Sequence, residues 1–420
     1  MKSRLVSITV LILAGISFMS TASEASSPDV ATLLVMSRRG SDAEQFKARL
    51  TQQGLTVLRE ARCITYAYSI FEVLPNSGDA PAALRSVQAA KDGDLAAAEM
   101  KFDSVLSGCT PDINDPDFDA QWHLQAMNFD EMHCLLVAHG VTQTVQPRIT
   151  LVDSGIKAIK KELNKGQIRE FNFVGGVNGV EDDVFVDGVT NQHGTAVTSV
   201  AAATTNNDTF LASPASFNKQ VKITMCRVAE NDVIDTMDVL DAMVWCVDNQ
   251  ALRGGPGLIN LSINSTELPT YNGSSIVQGI AKDAFQQGDL FVNGAGNTNF
   301  EDPSPKTKHF RVIVGLDETD MRWDEGVGEG SVYGTFKAAA PCTDISFVVA
   351  NAKATLLTGT GTSLAAPNWS SCIALLMSLK PNLTAPKADK ILFKTGKKTG
   401  DGYRLPDLRE AVNNVLELEP

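Results

Sequence analysis

The chain of 420 residues is longer than one ordinary domain and suits two. With 43% hydrophobic and 20% charged residues it can bury a sizeable core, which argues against a disordered chain. A formal net charge of -13, without a dense Lys/Arg run, argues against nucleic acid as a partner and suits solubility in an extracellular medium.

The N-terminus has the pattern of a secretory signal. Lys2 and Arg4 precede an apolar run from Val6 to Phe18, and Ser20, Ala22, Ser23 and Ala25 supply small residues for cleavage after Ala22 or Ala25. A membrane anchor is the alternative, but the run is shorter than the ~20 residues a spanning helix needs. Residues 1–25 are therefore expected to be a signal peptide, and the product secreted or periplasmic with no membrane partner. Export permits disulfides. Seven cysteines leave at least one unpaired, and Cys342 with Cys372 and Cys226 with Cys246 are candidate pairs. No CxxC spacing suggests zinc.

Residues 29–106 predict a small unit. ATLLVMS reads as a strand. SDAEQFKARLTQQG reads as a helix capped by Ser41, with Ala43, Phe46 and Leu50 on one face. LTVLREA and TYAYSIFEVL read as strands, Asp79 to Ala90 as a helix, and LAAAEMKF as a last strand. The order β-α-β-β-α-β is the ferredoxin-like arrangement. Thr110 to Phe118, TPDINDPDF, reads as a linker and processing site.

From about Gln121, strands alternate with amphipathic helices: RITLVDSG, a helix opening at His193, KITMCRV, VIDTMDVLDAMVWCV as helix, GLINLSIN, IVQGIAKDAFQQG as helix, LFVNGAGN, RVIVGL, and a helix opening at Thr362. Alternation over this length predicts an α/β fold with a mostly parallel sheet sandwiched by helices. In such sheets, sites gather at the carboxyl ends of strands.

Four polar residues fall at such ends. Ser363, in GTGTSLAAP, opens a helix whose free N–H groups would favour developing negative charge. His193, followed by Gly194 and Thr195, is the histidine of five best placed as a general base; His123 reads as a packing or surface residue, and His133 and His139 have no evident partner. Asp153 ends an apolar strand, where a carboxylate can hold a histidine in one tautomer. Asn297, in NGAGN, can offer an amide to an oxyanion. Each also has an ordinary reading, as helix cap, strand-end acid or turn residue. Their conjunction in the order Asp, His, Ser, spaced 40 and 170 residues apart, carries the argument.

DSG at Asp153, HGT at His193, GAGN at Asn297 and GTSLAAP at Ser363 resemble the signatures of the subtilases, the subtilisin-like serine peptidases of the peptidase S8 family. NDPDFDAQWHL resembles the start of the mature domain, LINLSIN its substrate-pairing strand, SVYGTFKAAAP the strand before the serine loop, and Gly402 to Val412 the closing helix. The resemblance covers about Asn114 to Val412. It implies a subtilisin-like fold and a secreted endopeptidase with Asp153, His193 and Ser363 as catalytic triad and Asn297 in the oxyanion hole. It also implies Ser262 and Asn264 as substrate-binding residues. Asn264 stands where the family usually has glycine, and Leu211-Ala212-Ser213-Pro214 where it usually has Gly-Val-Ala-Pro.

The same resemblance implies an inhibitor-type propeptide over 26–108, cut between about 107 and 114, a catalytic domain over 109–420, and an autoprocessed zymogen. The expected partners are protein or peptide substrates and the chain's own propeptide as an intramolecular inhibitor, with the protein a monomer. The chemistry needs no cofactor; structural calcium stays open with no ligand assigned. A catalytically dead binding homologue, a different serine hydrolase such as an esterase, and a structural exported protein are the rival classes. The four polar residues argue against the first and third, and the lack of a G-x-S-x-G elbow against the second.

Overall fold

The computed structural model describes residues 32–37, 42–63, 68–77, 83, 86–87, 95–101, 111–263, 274–304 and 307–416. Contacts divide the chain into one unit ending at Asp103 and another beginning at Ser104. The signal-like segment, Cys109 and Asn264 lie outside the described residues.

In the first unit, β1 (Thr32–Ser37), α1 (Ala43–Gln52), β2 (Leu55–Cys63), β3 (Tyr68–Pro75) and β4 (Leu95–Lys101) follow the expected order. The sheet runs β2-β3-β1-β4, with every neighbouring pair antiparallel. This is the strand order of a ferredoxin-like sheet. Phe46 and Leu50, one turn apart on α1, bury against Val35, Leu55, Phe71 and Val73. The helix cap is Asp42 rather than Ser41. Its carboxylate accepts from the N–H groups of Glu44 and Gln45, and Ser41 lies outside the described residues. Of the second expected helix, only residues 83, 86 and 87 are among the described residues, and they are helical.

The second unit contains α2 (Phe129–Ala138), β5 (Arg148–Asp153), β6 (Ile168–Asn172), β7 (Val180–Asp182), α3 (His193–Ala202) and β8 (Lys222–Arg227). The hairpin β9 (Ala229–Glu230) and β10 (Val233–Ile234), α4 (Thr236–Asp248), β11 (Leu258–Leu261), α5 (Ser275–Gln286), β12 (Leu290–Gly294) and β13 (Phe310–Leu316) follow. Last come β14 (Ala338–Pro341), β15 (Ile345–Ala350), β16 (Ala354–Gly359), α6 (Thr362–Leu379), α7 (Ala385–Thr395), β17 (Lys397–Lys398), β18 (Arg404–Leu405) and α8 (Leu408–Leu416).

The main sheet runs β17-β18-β14-β13-β12-β11-β5-β8-β6-β7. Its pairs are parallel from β18 through β6, and only the edge strands β17 and β7 are antiparallel to their neighbours. The central strands are buried along their length because helices cover both faces: all of β11 and β12, and all of β5 beyond Arg148, are buried. α3 and α6 pack on each other and on this sheet, and nearly every residue of both is buried. In α6, Trp369 is fully buried and donates its indole N–H to Asp389. Among the described residues no helix is long and apolar enough to cross a membrane.

Two expectations need correction. The expected linker is packed in part within the second unit. Asp115 and Phe118 are buried, and the Asp115 carboxylate accepts from the backbone N–H groups of Asn206 and Asn207. The cysteine pairs are not formed. Cys226, Cys246, Cys342 and Cys372 are buried free thiols, and the Cys226 and Cys246 sulfurs lie 3.7 Å apart, well beyond an S–S bond of about 2.05 Å. Cys342 instead packs under Gly315, and Cys372 points at the carbonyl of Asn368 within its own helix. Cys134 is disulfide-bonded.

Candidate active site

Register brings the polar residues to one edge. Val152 lies opposite Leu261 on one side and Cys226 on the other, so Asp153 emerges from the carboxyl end of a strand in the middle of the sheet. The first turns of α3 and α6, carrying His193 and Ser363, face the same edge. So does the loop after β12, which carries Asn297.

The Asp153 carboxylate is fully buried, and its Oδ1 accepts from the Ser154 N–H at 2.7 Å and from His193 Nδ1 at 2.8 Å. A carboxylate partner assigns the proton to Nδ1 and leaves Nε2 as the basic nitrogen. The imidazole is 31% exposed, so one edge reaches the cleft. Burial alone would lower its pKa. The Asp153 charge, the hydrogen bond to it and the Asp187 charge outweigh burial, and the pKa stands above the ordinary histidine value.

Close approach of α3 to the end of β5 requires glycine at 194. A Cβ there would sit 2.1 Å from the carbonyl of Gly155 and 3.1 Å from Asp153 Oδ1. The join is fastened by Asp187, a buried acid that sequence reasoning did not single out. It accepts from Ser154 Oγ at 2.7 Å, Thr195 N at 2.8 Å and Thr195 Oγ1 at 2.7 Å, while Ser154 Oγ accepts from Gly194 N at 2.8 Å. One carboxylate thus ties the residue after Asp153 to the residues after His193. Behind it, Gln192 takes the left-handed conformation at φ 55° and bonds to Ala350 N and Asn351 Oδ1 on the β15–β16 hairpin.

On the other wall, Asn297 Oδ1 accepts from both Thr362 N and Thr362 Oγ1 at 2.9 Å. This fixes the amide orientation and turns Nδ2 toward the cleft. A Cβ at Gly361 would stand 3.3 Å from Asn297 Nδ2 and 3.4 Å from Ser363 Oγ, so amide and hydroxyl flank the same glycine. Pro367 lies inside α6, four residues after Ser363, and removes the N–H that the Ser363 carbonyl would otherwise accept. Ser262 Oγ fills that role at 3.0 Å, held in turn by Asn260, which Ser370 supports from within α6.

His193, Ser363, Asn297, Ser262 and Ser154 share one cleft of 480 Å³. Among the described residues Ser363 Oγ and His193 are not yet hydrogen-bonded to each other; such contacts commonly tighten only with substrate in place. Asp153, His193, Asn297, Ser363 and Ser262 are therefore brought together, and Asn264 is outside the described residues. His123 is buried, with its pKa lowered to about 3 by desolvation, and His133 packs between Phe129 and Phe217; both serve packing.

One oxygen cluster among the described residues, Asp115 and Glu162 with Asn206 and Asn207, does not fit a calcium ion. Both Asp115 oxygens face backbone N–H groups. Glu162 accepts from Leu211 N, Asn207 Nδ2 and Thr209 Oγ1. Donor hydrogens point at the oxygens where a cation would need free lone pairs.

A parallel sheet with an Asp–His pair, a serine in the first turn of a helix and a side-chain amide converging at its carboxyl edge defines a serine-hydrolase type of site. Residues 146–312 match the model of the Subtilase family, Peptidase S8. Thermophilic serine proteinase from Bacillus sp. (strain AK1) is 29% identical over 238 residues, 55% of this chain and 52% of the relative. Thermitase from Thermoactinomyces vulgaris is 28% identical over 55% of this chain and 75% of its own. Subtilisin-like protease 1 from Plasmodium vivax is 24% identical over 72% and 50%. The chain spans about half the length of the first of these and of the Plasmodium relative. A solved protease structure from Pseudoalteromonas arctica superposes with a TM-score of 0.56 at 22% identity, over 72% of this chain and 99% of that one. The epidermin leader peptide processing serine protease of Staphylococcus aureus gives 0.52 at 16% identity, over 91% and 98%. These likenesses show the same fold.

Proposed function

We propose that this chain is a secreted serine endopeptidase, made as a zymogen, that cuts peptide bonds through Asp153, His193 and Ser363 and an acyl-enzyme. What carries this reading is the 2.8 Å Asp153–His193 bond in the same cleft as a serine at a helix N-terminus beside the Asn297 amide. His193 Nε2 takes the proton of Ser363 Oγ as the oxygen attacks the scissile carbonyl. The oxyanion is held by Asn297 Nδ2 and the Ser363 backbone N–H. Collapse breaks the C–N bond, and His193 passes its proton to the leaving amine. Water, deprotonated by the same nitrogen, then frees the acid and restores the serine. Asp153 keeps the imidazole oriented and favours its charged form.

In this account residues 1–25 direct export, 26–108 form a propeptide that inhibits the cleft until it is cut, and 109–420 form the catalytic domain. Ser262 and Asn264 flank the bound peptide. The active protein is a monomer acting on protein or peptide substrates, with no nucleic-acid or membrane partner. Ser363→Ala compared with the wild-type chain on casein is the test. Loss of at least a thousandfold in turnover supports the reading, and equal hydrolysis by the two removes it.

A further inference from the structure

The cleft is unevenly charged. Among the described residues that line it, Asp232 is the sole carboxylate. It sits at the tip of the β9–β10 hairpin, where Asn231 and Asp232 take left-handed conformations at φ 54° and 62°. These are the torsions of a tight two-residue turn, and Asn and Asp tolerate them better than most residues. The turn aims the Asp232 carboxylate at Thr190, three residues before His193, whose N–H donates at 2.5 Å and whose hydroxyl donates at 2.7 Å. The carboxylate is thus held in place while remaining exposed. The rest of that end of the cleft is neutral. The end beyond Asn297 is lined by Thr298, Phe300 and Val332, which offer no charge.

We propose that Asp232 is a specificity-determining residue that selects a substrate with a lysine or arginine side chain at one fixed position within about three residues of the scissile bond, a span of roughly 10 Å in an extended peptide. This deepens the endopeptidase reading above and rests on it. An immobile acid loses little side-chain freedom when a cation arrives, so the ion pair avoids part of the entropic cost that weakens most surface pairs. Hydrogen bonds from Thr190 hold the Asp232 carboxyl below its usual pKa, so the charge is present across the range in which His193 is neutral. The protein's net charge of -13 adds a long-range attraction for cationic peptides. A carboxylate that only clamps the hairpin would affect folding and leave the choice of peptide unaltered.

The test is a peptide library varied one position at a time around the cut, hydrolysed by the wild-type chain and by Asp232→Asn and Asp232→Lys, with casein hydrolysis by the same preparations as the separate reading of activity. Wild type is expected to favour Lys or Arg over the neutral Gln by about three- to tenfold in kcat/KM at a single position. Asp232→Asn should bring that ratio near one, Asp232→Lys should turn it toward Glu, and 0.5 M salt should weaken it, because exposed charges are screened. Casein hydrolysis with no basic preference at any position, or with a preference unchanged in both variants, overturns the role of Asp232 alone. No hydrolysis of casein or of any peptide by wild type overturns the endopeptidase reading and this inference with it.

Discussion

Ser262 Oγ donates to the backbone carbonyl of Ser363 at 3.0 Å, in place of the N–H that Pro367 lacks. A side chain at the end of β11 thus completes the first turn of the helix that presents Ser363. Ser262→Ala leaves a partly buried carbonyl without its donor and Asn260 Nδ2 without its acceptor. The expected result is a loss of about 1–3 kcal/mol in urea unfolding, measured in the Ser363→Ala background to avoid self-digestion, and a fall in kcat in the otherwise wild-type chain. Unchanged stability and turnover would show that the contact is idle.

Asp187 makes a sharper prediction because its charge acts on His193 from behind Thr195. It is one of the groups that raise the imidazole pKa. Asp187→Asn removes that charge, so His193 should lose its proton at lower pH. Activity needs the neutral imidazole, so the acid limb of kcat/KM should move to lower pH while the maximum rate falls. A lower rate with an unmoved acid limb would reduce Asp187 to a structural brace.

Asn297→Ala tests the amide beside Ser363. The expected fall in kcat is about 10²–10³-fold with little change in KM, the size of effect found when such a donor is removed in subtilisin itself. A change confined to KM would mean that Asn297 contacts substrate without meeting the developing charge.

Glu162 ties the start of the second unit's core to residues 207–211. Burial pushes its carboxyl pKa up to about 7, against hydrogen bonds that favour the anion. The folded chain therefore holds this proton more tightly than the unfolded chain does, and its contribution to stability is present at low pH and lost as pH rises from about 4.5 to 7. Glu170, raised to about 8 by burial, acts with the same sign. The informative quantity is thus the difference from Glu162→Gln. In the Ser363→Ala background, the wild-type Glu162 chain should lose about 2 kcal/mol relative to the variant across that range. Parallel pH curves would contradict the assignment.

Much of the site was legible in the sequence because Asp153 ends an apolar strand, Asn297 closely follows another, and His193 and Ser363 lie in the first turns of helices that open with small residues. Local patterning also predicted α3 and α6 nearly to the residue. The supporting contacts were not legible. Asp187 meets Ser154 across 33 residues, and Ser262 meets Ser363 across 101, so neither neighbourhood exists until the sheet is assembled. The cysteine pairing failed for a related reason. Cys226 and Cys246 do become neighbours, on β8 and α4, but adjacency in a packed core is not S–S geometry. Residues 111–118 read as a linker because Pro, Asp and Asn usually mark one. Here the acid at 115 finds two backbone donors 91 and 92 residues away and becomes part of the core.

The most direct measurement is to treat the full-length chain with a fluorophosphonate and map the adduct by peptide mass spectrometry. The triad predicts one modified residue, Ser363, with labelling strongly reduced in His193→Ala. A preparation that hydrolyses casein while Ser363 stays unmodified, or that carries the adduct on another serine, would contradict it.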